Sequence, residues 1–326
     1  MKPLDRSFVV ALALAASPAL ADFPERNIEN IYPWNPGATM AASQVIADAM
    51  GEELGVNVSV VSTPGAGGVK AFETALERDA DGYTIIDGYV APLVLQPMQG
   101  NADWSYEDFV PLWSATANAF AIAVRKSDER FPDLPALIEA MREAPGELRY
   151  SPGTANALPH MSAAKMMQEA DVYAQIVPYP EIDQAVRDVR SGVLDFMVIN
   201  TGVYAINKED VDILAVLSDF GAASETYDGA PLIGAFDIDT GMTGLSTMGW
   251  NWWLVEEGTP EEVVTTLREA MGAALAREDV QARLIDMGFV PTLQAPEDYK
   301  AVVGPIAEQI DGAIGAIDWE RERLGL

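Results

Sequence analysis

The sequence predicts an α/β protein in which mostly parallel sheets are covered by helices, and three observations predict it. Short apolar runs rich in β-branched residues alternate with amphipathic helical stretches from residue 28 onward. Turns rich in glycine and proline stand where strands give way to helices. The strand–helix units fall in two sets, roughly 28–121 and 122–216, which implies two similar domains and no short-period repeat array. In such sheets a ligand crevice lies at the carboxyl ends of the strands.

The elements follow in order. Ile28–Trp34 reads as a strand, and the stretch from Asn35 to Leu54 as a turn and a helix. Val56–Ser62 alternates with period two and reads as a second strand, followed by the turn Ser62–Gly68, a helix, and a third strand at Thr84–Gly88. Ser105 reads as a helix cap ahead of a strand at Ala119–Lys126. A helix over 131–147 closes at Pro145-Gly146. A strand, the turn Ser151–Asn156 and a helix follow, then the strand 173–180, the helix 181–192 and the strand Leu194–Asn200. Residues 217–247 show no period and read as a long connection. Gly249–Val255 reads as a strand carrying three tryptophans. The helix after it is marked by Thr259 as cap, Pro260 in the first turn, and Glu261 and Glu262 at the positive end of its dipole. Two further helices complete the chain.

Composition removes several function classes. The 326 residues are 49% hydrophobic and 21% charged, as in a globular chain. With 20 Lys+Arg against 50 Asp+Glu, the net charge is −30, and neither a nucleic-acid backbone nor an anionic membrane finds a basic face. There are no cysteines, so thiolate and disulfide chemistry are absent, and one histidine cannot form a histidine metal cluster. No cofactor is expected. Lys2 and Arg6, the apolar run Phe8–Ala16 and the Ala19-Leu20-Ala21 site read as an export signal over residues 1–21. A periplasmic chain starting near Asp22 is therefore expected, without an obligate oligomer.

The turn Ser62–Gly68 raises the question of its ligand. It is not a phosphate loop, because Lys70 follows Val69 and Ala71 stands where Ser or Thr would bind magnesium. It is not a dinucleotide fingerprint, because the third glycine position is Lys70. A plain tight turn and an anion nest both remain. In a nest, successive N–H groups and the following helix start bind a carboxylate without a basic side chain. Two other turns share the pattern, Asn35–Thr39 and Ser151–Asn156.

The order and spacing of several stretches carry a resemblance over nearly the whole mature chain: YPWNPGAT, PGAGG followed by DGYTIIDG, YSPGTANALPHMSAAKM, VPYPEIDQAVRDVRSGVLDFM, GWNWWLVEEGTPEEVVTTL and MGFVPTLQAPEDY. The chain resembles the solute-binding proteins of tripartite tricarboxylate transporters, the Bug receptors. The resemblance implies a two-domain periplasmic-binding-protein-like (type II) fold, each domain a mixed sheet flanked by helices, with the ligand cleft between them. It implies the division 22–121 with 248–326 for one domain and 122–247 for the other. It implies capture of a small organic carboxylate, delivery to membrane permease subunits, and no catalysis. Carried over by position, Trp34, Asn35, Gly37, Ala38 and Thr39 face Ser151, Gly153, Thr154 and Asn156 across one carboxylate. Pro64, Gly65, Ala66 and Gly67 line the first side of the cleft; Tyr179 and Asp183 line the second, with Tyr89 a further candidate. The chain departs from the family where the first turn lacks a second glycine and an acid, and where Pro180-Glu181 replaces a Lys-Gly pair.

Single residues carry competing readings. His160 orients the helix after the third turn, or serves as base to Ser151 or Thr154 in an exported hydrolase; no nucleophile elbow supports the latter. Trp34 stacks on a ligand or packs beside its turn. Trp250, Trp252 and Trp253 read as core. Asp183 accepts a hydrogen bond from a ligand or stabilises its helix start. A receptor of this fold that reports to a sensor is the other alternative to transport.

Overall fold

In the computed structural model, residues 23–180 and 182–326 are described, without the side chains of residues 182 and 183. The leader read over 1–21, with its Ala21 cleavage site, and the side chain of Asp183 lie outside the described residues.

Three apolar runs pair in parallel as expected: β1 (Ile28–Tyr32), β2 (Val58–Ser62) and β3 (Thr84–Tyr89), with Ile28 beside Val58 and Asn30 beside Ile85. Three more strands complete this sheet: β4 (Phe109–Asn118), β10 (Gly249–Glu256) and β11 (Val290–Pro291), in the order β11-β4-β10-β3-β1-β2. A second sheet has the order β7-β6-β8-β5-β9, from β5 (Phe120–Arg125), β6 (Arg149–Ser151), β7 (Gln175–Ile176), β8 (Phe196–Asn200) and β9 (Val211–Val216). The sheets are mixed, not mostly parallel. β10 runs antiparallel to both β3 and β4, and β5 antiparallel to both β8 and β9. The cause is the crossing of the chain between sheets: β4 passes into β5 with only Ala119 between them, and β10 brings the chain back.

Helices α1 (Ala38–Leu54), α9 (Glu261–Ala276) and α10 (Glu278–Asp286) pack together on one face of the first sheet, while α2 (Val69–Leu76) packs against β1 and β3. Period two decides which side chain meets which helix layer. Ile28, Tyr32, Ile85 and Tyr89 join the cluster under α1 and α9, whereas Ile31 and Ile86 join the cluster that holds Phe72 of α2. The turn Ala91–Leu95 leads into α3 (Gln96–Met98). Helices α4 (Leu134–Glu143), α5 (Leu158–Glu169), α6 (Ile182–Ser191), α7 (Thr201–Asn207) and α8 (Gly221–Glu225) belong to the second lobe. The C-terminal α11 (Tyr299–Leu324) lies along α5 and so ties the end of the chain to that lobe.

Two local expectations are corrected. Ser105 caps only the turn Tyr106–Asp108, and Phe109–Asn118 is a ten-residue strand, its alternation obscured in sequence by Pro111. Thr259 does not cap α9: its hydroxyl donates to the Glu256 carbonyl at 2.8 Å, and Pro260 occupies the cap position. Trp250, Trp252 and Trp253 are 1%, 1% and 0% exposed, because β10 is an interior strand covered on both faces.

Candidate functional site

A cavity of about 130 Å³ opens between the sheets, at the ends of β1, β3, β6 and β8 where the next helices begin. Tyr32, Trp34 and Tyr89 form an aromatic wall on the first lobe. The Tyr89 ring meets Tyr32 edge-on at 5.8 Å and Trp34 at 6.2 Å. Asn118, Phe120 and Gly249 form the floor where the chain crosses between lobes. A Cβ on Gly249 would meet Asn118 Oδ1 at 2.6 Å and Phe120 Cζ at 2.8 Å, so only glycine lets both side chains reach the cavity. Thr154, Ala157–Pro159, Pro180 and Asn200 form the opposing wall.

The electrostatics of this cavity come from backbone. The first turns of α1 and α5 both line it, at Gly37–Thr39 and Ala157–Pro159. Neither helix has a side-chain cap, and neither has an acid in its first turn. The positive ends of both helix dipoles therefore border the cavity; at α5 the N–H groups are those flanking Pro159, which has none. No Lys, Arg, His, Asp or Glu is among the described lining residues.

Beneath α1 lies a buried polar network. Asp87 accepts hydrogen bonds from Ser43 Oγ and Asn251 Nδ2, both at 2.6 Å, and from Asn30 Nδ2 at 3.4 Å. Asn251 Oδ1 in turn accepts from the Thr116 N–H at 3.0 Å. Burial without a cation pushes the Asp87 carboxyl up to about 6, against the lowering effect of these donors. The Tyr89 hydroxyl is buried. It lies beside Ser43, which gives its own proton to Asp87 and so can accept from the phenol. Burial first, and then the charge of Asp87, hold the Tyr89 phenol well above its usual range, so it stays a donor.

The third turn is clamped. Asn156, at φ 60°, gives its N–H to His160 Nδ1 at 2.9 Å. The ring's proton therefore sits on Nε2 and is donated to Glu320 of α11 at 2.7 Å. Tyr150 donates to the other Glu320 oxygen at 2.5 Å, and all three side chains are buried. The Asn156 carbonyl accepts from Gln96 of the first lobe at 3.0 Å, and its side chain accepts from Arg321 at 2.9 Å. His160 thus orients the turn, as one reading of the sequence has it. Both its nitrogens are engaged, and the Ser151 hydroxyl accepts from the Gly153 N–H at 3.0 Å, so the Ser–His contact a hydrolase needs is not formed.

Of the residues singled out in sequence, Trp34, Asn35, Gly37, Ala38, Thr39, Tyr89 and Thr154 come together around the cavity. Ser151, Gly153 and Asn156 lie behind Thr154 and shape its turn. Pro64, Gly65, Ala66 and Gly67 are placed outside the lining. Their turn packs behind the first one, with Gly68 against Pro33 and Pro92, Gly67 against Gln96, and Ser62 donating to the Trp34 carbonyl at 2.7 Å. Tyr179 is also outside the lining: its hydroxyl donates to Asp188, and the neighbouring Pro180 reaches the cavity instead. Sequence reasoning missed Asn118, Phe120, Asn200 and Gly249. Only Asn200 carried a signal, as an N-cap residue at a strand end; its side chain accepts from the Val203 N–H at 2.9 Å.

Two mixed-sheet lobes joined by crossing strands, with helix starts facing a shared cavity, define a bilobed binding protein. A model of the tripartite tricarboxylate transporter family receptors matches residues 42–316, and the chain belongs to that family. It is 28% identical over 303 residues to a protein encoded in the tcbD–tcbE intergenic region of Pseudomonas sp. (strain P51), covering 88% of this chain and 86% of that one. It is 25% identical over 315 residues to the protein BugT of Bordetella pertussis, covering 94% of each. Among solved structures, an R. palustris protein with adipate is similar at TM-score 0.79 and 23% identity, over 91% of this chain and 99% of that one. MatC from Rhodopseudomonas palustris with bound malate is similar at TM-score 0.75 and 20% identity, over 90% and 100% of the two chains.

Proposed function

We propose that this protein captures a small organic carboxylate in the cleft between its lobes, outside the cytoplasm, and delivers it to the membrane permease subunits of a tripartite transporter without transforming it. The observation that carries this reading is the pair of uncapped helix starts, Ala38 on one lobe and Leu158 on the other, facing one cavity with no charged side chain described around it. A carboxylate there accepts backbone N–H bonds from both lobes and holds them together. Trp34, Asn35, Gly37, Ala38, Thr39, Tyr89 and Thr154 touch the ligand; Ser151, Gly153 and Asn156 set the turn that presents Thr154. The first lobe comprises 23–118 with 249–298 and the second 120–247, with α11 laid along the second. Periplasmic location is supported by the leader-like N-terminus and by similarity to the periplasmic binding protein BugD.

The test is a thermal-shift screen of the chain from Asp22 against carboxylates, with amines and neutral sugars as controls. A ligand at a hundred times its Kd stabilises by about 2.7 kcal/mol. Thr154→Trp, which fills the cleft from a half-exposed loop position, abolishes the shift. A shift given only by controls rejects the reading.

A further inference from the structure

We propose that the cleft selects a monocarboxylate with a compact, ring-sized, uncharged body. This rests on the reading of the cleft as a carboxylate site and names its ligand class.

Charge is the first argument. Each helix start supplies roughly half a positive charge, so α1 and α5 together balance about one carboxylate. No cationic side chain is described in the lining for a second, and Arg321, close to the third turn, is engaged with Asn156 and Asp318. A second carboxylate would be stripped of water against Tyr32, Phe120, Leu158 and Val203 with no counter-charge. Toward Tyr89 it would also face the buried carboxylate of Asp87, whose charge reaches that ring.

Size and shape are the second argument. The cavity of about 130 Å³ is close to the 150 Å³ apolar cavity that takes up benzene. The Tyr32–Tyr89–Trp34 wall is already set edge-to-face, and a flat guest extends it.

Titration calorimetry with benzoate, 4-hydroxybenzoate, terephthalate and adipate tests this on the wild-type chain and on Thr154→Trp. The expected result is that the two monoanions bind at least tenfold more tightly than either dianion, and that Thr154→Trp removes that binding. Tighter binding of terephthalate or adipate, lost in Thr154→Trp, overturns the inference and leaves the carboxylate site standing. Binding of none of the four overturns both the inference and the site.

Discussion

Replacing Asp87 by asparagine removes the titrating group at the centre of the network under α1, and the consequence is a change in how stability depends on pH. Asp87 is 0% exposed, and burial raises its carboxyl from the usual 3.8 to about 6. Between those values the folded chain keeps a proton that the unfolded chain has released. Stability from this group is therefore fully present below about 3.8 and is lost as pH rises through 6. A shift of roughly two units at 1.36 kcal/mol each comes to about 3 kcal/mol. Urea titrations of wild type and Asp87→Asn at pH 4, 5, 6 and 7 measure it. The difference between the two proteins moves by about 3 kcal/mol in favour of the variant from the acid to the neutral end, then levels off above pH 7. Carboxylates held low by cations, such as Asp128 beside Arg130 and Asp228 beside Lys208, titrate alike in both proteins and cancel in the difference. Parallel profiles across this range refute the reasoning, because Asp87 would then ionise as easily folded as unfolded.

Other outcomes follow from the same geometry. Glu320→Ala strands the His160 Nε2–H and the Tyr150 hydroxyl in the interior, so it costs about 2–5 kcal/mol in urea titrations and weakens ligand binding by loosening the Asn156 turn. Gly249→Ala pushes Asn118 and Phe120 into the cleft, lowering ligand affinity at least tenfold in calorimetry and stability by about 1–3 kcal/mol. Because the chain carries −30, an anion is repelled at long range while local dipoles hold it at contact. Stopped-flow association therefore speeds up with added salt, and a rate that falls with salt contradicts the account.

Turns punctuated by glycine and proline were the most legible part of the sequence, since they mark where strands hand over to helices. The first and third turns do flank the cavity. The second has the same composition for another reason: Gly67 and Gly68 allow close packing against Gln96, Pro92 and Pro33. Composition records the need for a bare backbone, not whether a ligand or the protein's own side chains fill the space. Tyr179 illustrates the same limit: its partner Asp188 stands nine residues on, and the motif does not show that the two meet. The cavity floor was illegible because Asn118 and Gly249 meet only through strand pairing across a long sequence separation. The pairing of His160 with Glu320 spans 160 residues and leaves no local pattern. Strand β4 was hidden by the Ser105 cap and Pro111, local signals overridden by pairing with β10.

The most direct measurement is a crystal structure of the chain from Asp22 with the tightest carboxylate bound. The account requires carboxylate oxygens within about 3.2 Å of backbone N–H groups at the start of α1 and, across the cleft, at the start of α5. A carboxylate held by a lysine or arginine side chain, or seated outside the space between Trp34 and Thr154, contradicts it.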